Sequence, residues 1–457
     1  HDENYFVLTK YLNTSDCDLF LFDIATKETI KINENKSANQ SQEFSKDDSK
    51  IYYTTDDNKE FSYLMWYDLK TKKRGLVRQK PWDIFGFNFS ENGKYMIINV
   101  NEDGKNTIEV LDSKTGEPID LPQIGTMNIR NIHFSKDEQW LRVFAGGSNS
   151  PSDLYSYNIE TKEYYKLTDA LNESINIDDL VTAKVVRFKS FDSLEIPAIY
   201  FLPHQASPKN KVPAMIYVHG GPGGQSRQNY NPLFQYMLNN GIAVLAVNNR
   251  GSSGYGKTFY KMDDLNHGEK DLQDCVKGKK WLQSQVEIDS DKIGIIGGSY
   301  GGYMTMAALT YTPEEFSLGV NIFGVTNWLR TLKNMPTDWE SYRQALYSEV
   351  GDPFSIDSVR LKRISPLFHT EKVTKPLMVL QGSKDPRVLQ VESDEIVAGV
   401  RKNGVPVEYL LFEDEGHGFL KKENEIKAYK SINAFLNRYL KGNSVFSNSE
   451  YSEIKKK

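Results

Sequence analysis

The chain has 457 residues, 39% of them hydrophobic and 26% charged, with a formal net charge of −5. That composition is that of an ordinary soluble globular protein, and the length predicts two or three domains. The charge gives no long-range attraction to nucleic acid or an anionic membrane, and no apolar run approaches the length of a transmembrane helix.

The first residues, His1-Asp2-Glu3-Asn4, carry neither a signal peptide nor a starting Met, so the expectation is a processed chain or a fragment. Cys17 and Cys275 are the only cysteines. They offer no zinc spacing and no disulfide framework, and both are expected to be free. The cytoplasm and a periplasmic or secreted location both stay open.

Residues 1–178 repeat. Phe44-Ser45-Lys46-Asp47-Asp48, Phe89-Ser90-Glu91-Asn92-Gly93 and Phe134-Ser135-Lys136-Asp137-Glu138 recur every 45 residues. A second marker, built around Asp23, Asp68, Asp112 and Asn158 with a Thr three residues on, has the same period. Short alternating runs such as Lys50–Thr54 and Tyr95–Val100 lie between the markers and read as strands, with the markers as turns. A period near 45 with four strands per unit predicts β-propeller blades. About four fit, so the expectation is a partial propeller: blades missing upstream, a short ring, or a ring completed by a partner.

From residue 179 the pattern changes. Val185–Phe191 and Ile196–Leu202 read as paired strands, and strands then alternate with helices up to residue 440. The predicted strands are Ala214–Val218, Ala243–Asn248, Lys292–Ile296, Leu318–Ile322, Leu377–Gln381 and Val407–Phe412. The predicted helices are Leu272–Gln283, Tyr303–Tyr311, Glu392–Lys402 and Glu425–Tyr439. This is a doubly wound, mostly parallel sheet with helices on both faces. Residues 441–457 form a polar tail, expected to be mobile.

Within this half, Ile293-Gly294-Ile295-Ile296 runs into Gly297-Gly298-Ser299-Tyr300-Gly301-Gly302 and then into a good helix former. A G-x-S-x-G between strand and helix is a nucleophile elbow, which exposes a serine on a strained turn at the top of a sheet. Ser299 is the candidate nucleophile. In α/β-hydrolases the order is Ser, acid, His, and only His369 and His417 follow Ser299. His417 lies in a glycine-flanked loop after the strand Val407–Phe412, whereas His369 precedes a strand and so falls at the wrong end of the sheet. The acid is expected at Asp385, just beyond the strand Leu377–Gln381, with Asp414 and Glu415 as alternatives. The oxyanion donors are expected from the main-chain N–H groups of Gly221, in His219-Gly220-Gly221-Pro222-Gly223-Gly224, and of Tyr300. His219 reads as a structural loop histidine, and Arg250 as the partner of an acidic neighbour. Asp271 and Asp274 read as helix-cap and surface charges. No cluster has metal-ligand spacing, so neither a metal nor a cofactor is expected.

Taken together, His219-Gly220-Gly221-Pro222, Asn249-Arg250-Gly251-Ser252, Gly297–Gly302, Asp385-Pro386-Arg387-Val388 and Gly416-His417-Gly418-Phe419 resemble the prolyl oligopeptidase family of serine peptidases, in its acylaminoacyl-peptidase and dipeptidyl-peptidase-like branch. The resemblance implies an α/β-hydrolase catalytic domain preceded by an all-β propeller that restricts access, though the family's seven or eight blades exceed the four visible. It implies that Arg387 binds the substrate carbonyl next to the scissile residue. It also implies that Val388 lines the primary specificity pocket, with Trp328 and Tyr300 as weaker candidates for its walls. Dipeptidyl peptidases also hold a free N-terminus with two propeller glutamates, which are not identifiable here. The expected activity is hydrolysis of short peptides through an acyl-enzyme on Ser299, as an exopeptidase (acylaminoacyl or dipeptidyl) or an oligopeptidase. The competing readings are a carboxylesterase using the same three residues and a propeller interaction protein with an inactive hydrolase domain. Peptides are the expected partners, nucleic acid is not, and a homo-oligomer is left open.

Overall fold

The repeated markers of the N-terminal half are turns, and their own side chains explain the recurrence. In the computed structural model, which describes residues 4–442, the Oδ1 atoms of Asp23, Asp68, Asp112 and Asn158 each accept the N–H groups of the residues two and three positions on. This is the Asx arrangement that lets a short side chain imitate a backbone turn. The Ser45, Ser90 and Ser135 hydroxyls do the equivalent work in the other marker, accepting the N–H of Lys50, Tyr95 and Trp140.

Between the turns lie antiparallel strands in four small sheets. The first holds β1 (Tyr5–Tyr11), β2 (Cys17–Asp23) and β3 (Thr29–Lys31). The second holds β4 (Asn39–Phe44), β5 (Lys50–Thr55), β6 (Tyr63–Asp68) and β7 (Arg74–Arg78). The third holds β8 (Asp83–Phe89), β9 (Tyr95–Glu102) and β10 (Lys105–Asp112), and the fourth β11 (Asn128–Phe134), β12 (Trp140–Gly146), β13 (Asp153–Asn158) and β14 (Tyr164–Lys166). Four strands per blade therefore holds in two sheets only. In the third, the outermost strand is reduced to one bridge between Leu111 and Pro118, as a proline that cannot donate to the ladder requires.

Alternate residues of each sheet pack against the next sheet in sequence. Leu19, Leu21, Ile51 and Tyr53 join the first two sheets. Leu64, Ile84, Phe87 and Ile98 join the second and third, and Tyr95, Ile97, Leu141 and Val143 the third and fourth. Successive face-to-face sheets are propeller blades.

The second half is an eight-stranded sheet in the order β15-β16-β18-β17-β19-β20-β21-β22. Its strands are β15 (Lys184–Lys189), β16 (Glu195–Phe201), β17 (Val212–Val218), β18 (Ala243–Val247), β19 (Ile288–Gly298), β20 (Gly319–Ile322), β21 (Leu377–Gly382) and β22 (Val407–Phe412). The first two are antiparallel to their neighbours and the rest run parallel. The helices are α1 (Pro232–Asn239), α2 (Lys257–Tyr260), α3 (Lys270–Gln283), α4 (Tyr300–Tyr311), α5 (Trp328–Lys333), α6 (Arg343–Val350), α7 (Asp357–Arg363), α8 (Gln390–Arg401) and α9 (Lys422–Tyr439).

The central strands are apolar on both faces, as a parallel sheet covered on both sides must be. Ala214, Ile216, Leu245 and Ile295 point toward α3 and α4. Met215, Val244, Ala246 and Ile296 point toward α1 and α9. The sheet, its elbow and the long helices match the expected pattern; α1, α2 and α5–α7 were not anticipated. The predicted tail from 441 falls, beyond Gly442, outside the described residues. Among the described residues no helix is long and apolar enough to cross a membrane.

The two halves meet through polar contacts. Lys257 pairs with Asp56 at 3.1 Å, Lys261 with Asp16 at 3.1 Å, and Gln235 Nε2 donates to the Ser148 and Val181 carbonyls at 2.9 Å. Between them lies a cavity of about 750 Å³, lined by Asn39, Asp56 and Asn101 from the blades and by Arg227, Lys257 and Tyr260 from the other half.

Candidate active site

Ser299 sits between β19 and α4 with φ 57° and ψ −119°, a left-handed conformation that L-residues adopt only when their surroundings impose it. The imposition is visible. The Ser299 N–H donates to the Ile322 carbonyl at 2.9 Å, and the Ser299 carbonyl accepts from Tyr303 N–H at 3.0 Å. A Cβ on Gly301 would lie 2.0 Å from the Val218 carbonyl oxygen, and one on Gly297 would lie 2.5 Å from the Gly301 carbonyl. Strand and helix can close this tightly only without those side chains.

The carboxyl ends of three more strands deliver the remaining groups, in the crevice where open α/β sheets place ligands. His417, beyond β22, brings Nε2 to 3.0 Å from Ser299 Oγ, and its Nδ1 lies 2.7 Å from Asp385 Oδ2, beyond β21. The other carboxylate oxygen of Asp385 accepts the N–H groups of Arg387 at 2.8 Å and Val388 at 2.9 Å. The imidazole also packs on Phe323 with ring centroids 4.7 Å apart, a contact the sequence reading missed. Its only signal was an aromatic residue just after β20, ahead of Gly324.

The alternatives are committed elsewhere. Asp414 binds Lys421 and Asn424. Glu415 accepts the Leu420 and Lys421 N–H groups at 3.0 Å, tying down its own loop. His369 Nε2 meets the Arg363 carbonyl at 2.9 Å.

The glycine-rich loop after β17 runs beside the serine. A Cβ on Gly220 would lie 3.6 Å from Ser299 Cβ, so Gly221 follows directly on the residue that abuts the nucleophile. His219 is buried in this loop, with Nε2 2.8 Å from Ser252 Oγ, and burial lowers its basicity. Tyr260, which lines the large cavity, packs on Gly223 of the same loop.

Of the expected substrate contacts, Arg387 is exposed, with its guanidinium 5.4 Å from the Trp339 ring centroid. Val388 and Trp328 are only 2% and 3% exposed and belong to one apolar cluster with Tyr300.

Asp271 and Asp274 correct the reading as surface charges: both are fully buried. Asp274 accepts from Arg250 Nε and Nη2 at 2.9 Å, and Asp192 takes the rest of that guanidinium. Asp271 accepts from the Tyr300 hydroxyl, which is also 2.8 Å from His267 Nδ1. Asp263, His267 and Glu349 cluster behind them, all buried. Sequence spacing could not reveal this group, since Glu349 arrives from a distant helix. Burial raises the Asp263 carboxyl to about 9, Glu349 to about 7 and Asp271 to about 6, and lowers His267 to about 3. In each case loss of solvation is the main cause.

Residues 228–443 match the family model described as "Prolyl oligopeptidase family". Dipeptidyl aminopeptidase BIII of Pseudoxanthomonas mexicana is 32% identical over 397 residues, which is 84% of this chain and 57% of that protein. Dipeptidyl peptidase family member 6 of Caenorhabditis elegans is 33% identical, over 71% of this chain and 46% of that protein. The chain thus spans about half the length of these curated relatives. The solved structure of a puromycin-hydrolyzing peptidase of Mycobacterium tuberculosis superposes with TM-score 0.83 at 20% identity, over 96% of this chain and 69% of that one. The acylaminoacyl peptidase of Pyrococcus horikoshii gives 0.76 at 22%, over 98% and 71%. These likenesses place the fold as a propeller joined to an α/β-hydrolase.

Proposed function

We propose that this chain, which belongs to the prolyl oligopeptidase family, hydrolyses short peptides by acyl transfer to Ser299. The observation that carries the reading is the continuous chain from Ser299 Oγ through His417 to Asp385, at 3.0 and 2.7 Å.

In this mechanism His417 Nε2 takes the serine proton as Oγ attacks the scissile carbonyl. The same nitrogen then returns the proton to the leaving amine. Asp385 keeps the other ring proton on Nδ1 and stabilises the imidazolium. The N–H groups of Tyr300 and Gly221 stabilise the tetrahedral oxyanion, a contribution of ~3–4 kcal/mol for each well-placed donor. Water repeats the sequence on the acyl-enzyme. Arg387 is exposed and available to a substrate carbonyl, whereas Val388 and Trp328 are buried and present almost no surface to a ligand. The cavity of about 750 Å³ between the halves lies next to the glycine-rich loop, but Ser299, Asp385, His417 and Arg387 do not line it.

The names of two relatives above 30% identity make free-amine dipeptidyl substrates the first to try. The test compares free-amine dipeptidyl and N-acetylated peptide anilides, with Ser299→Ala as control. Cleavage of the free-amine anilide, lost in Ser299→Ala, is the expected result. Preference for the blocked substrate would move the specificity to acylaminoacyl or oligopeptidase action. Ester turnover with no amide cleavage would make the chain a carboxylesterase.

A further inference from the structure

Tyr300 is fixed from the far end of its side chain as well as through the backbone. Its ring is 2% exposed and its hydroxyl has a single proton. That proton is donated to Asp271 Oδ2. The contact of 2.8 Å with His267 Nδ1 therefore needs the proton on the imidazole, so His267 donates to the phenol oxygen. Both hydrogen-bonding directions of the hydroxyl are occupied.

The two partners are rigid in turn. Asp271 Oδ1 accepts the N–H of Glu269 at 3.0 Å and of Leu272 at 2.8 Å, at the start of α3. His267 Nδ1 also faces Asp263 Oδ2 at 3.5 Å. Tyr303 and Trp328 pack within 5.4 and 6.3 Å of the Tyr300 ring.

This arrangement is costly. A fully buried carboxylate without a cation beside it loses several kcal/mol of hydration, and the nearby Arg250 is already committed to Asp274 and Asp192. A phenylalanine at 300 would fill the same space and need no buried charge. None of these groups bonds to Ser299, His417 or Asp385, so the proton relay does not explain them. What they share is a hold on the residue directly after the nucleophile.

We propose that Asp271 and His267 are positioning residues for the oxyanion hole. By clamping the Tyr300 hydroxyl from both sides, they hold the Tyr300 main-chain N–H on the oxygen that becomes negative when Ser299 attacks. The proposal rests on Ser299 being the nucleophile and on the Tyr300 N–H being an oxyanion donor.

The test uses Tyr300→Phe, Asp271→Asn and their double variant, each rate normalised to active sites titrated to completion with a fluorophosphonate, and Ser299→Ala, whose rate is normalised to protein concentration. The measurements are kcat and KM on a peptide anilide, and the inhibition constant of the matching peptide aldehyde, whose hemiacetal oxygen occupies the oxyanion position. Losing a donor outright lowers kcat by roughly 10²–10³-fold, so misaligning one should lower it about tenfold in Tyr300→Phe. KM should stay within about twofold, and aldehyde binding should weaken by the same factor as kcat. Asp271→Asn should behave alike, and the double variant should be no worse than the poorer single one.

Unchanged kcat per titrated site in Tyr300→Phe overturns the proposal, whatever happens to stability. So does a raised KM with kcat and aldehyde binding intact, which would assign the residues to the substrate pocket. Should Asp271→Asn fail to fold, Tyr300→Phe decides alone. Full turnover by Ser299→Ala would remove the nucleophile reading and the clamp together, whereas a dead Ser299→Ala beside a fully active Tyr300→Phe removes only the clamp.

Discussion

Replacing Asp385 by asparagine probes the mechanism where the geometry is tightest. One carboxylate oxygen accepts two main-chain N–H groups, from Arg387 and Val388, and the other faces His417 Nδ1 at 2.7 Å. Asparagine must choose. If its carbonyl keeps the two N–H groups, its amide donates to Nδ1. His417 then carries its proton on Nε2, facing Ser299, and cannot accept the serine proton. If the amide flips, two N–H groups face an NH₂ group, at ~1–3 kcal/mol for each unsatisfied donor. The first arrangement therefore prevails, and kcat/KM should fall about 10⁴-fold, the scale of a triad locked in the wrong tautomer. The assay is hydrolysis of a peptide anilide, with thermal unfolding followed in parallel to show that the fold survives. A loss smaller than about tenfold in a folded variant would show that Asp385 does not set the tautomer of His417.

Ser299→Ala should lower kcat by on the order of 10⁶-fold and abolish fluorophosphonate labelling; residual labelling at another residue would displace the nucleophile. Gly301→Ala places a Cβ 2.0 Å from the Val218 carbonyl oxygen, so it should cost more than about 4 kcal/mol in urea unfolding or yield no folded protein; a stable, active variant would mean that the elbow is looser than described. The pH dependence of stability follows from the buried acids. Asp263 is raised from 3.8 to about 9, so its contribution is complete below pH 3.8 and is lost as pH rises through about 9. The slope is at most about 1.4 kcal/mol per pH unit. His267 runs the other way, losing its contribution as pH falls from 6.5 to about 3, and so leaves the alkaline side to the carboxyls. Asp263→Asn, which imitates the protonated acid, should flatten the decline between pH 7 and 9, and parallel curves for wild type and variant would refute this.

Much of this arrangement was legible in the residues, for physical reasons that differ along the chain. The elbow could be read because glycines, a β-branched strand and a helix former must adjoin to make it. His417 and Asp385 could be placed because a parallel sheet puts its loops at one edge. The blades were legible because Asp23, Asp68, Asp112 and Asn158 form their turns locally, with bonds reaching no further than the third residue. What could not be read depends on distant partners. Lys270-Asp271-Leu272-Gln273-Asp274 looks like a solvated helix face, yet Asp274 points at Arg250 from another loop and Asp271 at Tyr300 from another helix. The short helices α5, α6 and α7 are separated by breaks at Pro336 and Gly351 and are too brief for a clear helical period.

The contrast between local turns and distant partners also sets the order in which the molecule acquires its properties. The blade turns close loops of three to five residues, whereas the serine and histidine of the proposed site are 118 positions apart and the histidine and aspartate 32. Short loops form first, because chain closure grows more costly with separation and non-local topology slows assembly. During synthesis or refolding, strand content and blade packing therefore return ahead of hydrolytic competence. The chain spends its early life as a folded ring segment with an isolated serine, and the proposed contact from Ser299 through His417 to Asp385 forms only when β21 and β22 dock at the far edge of the sheet.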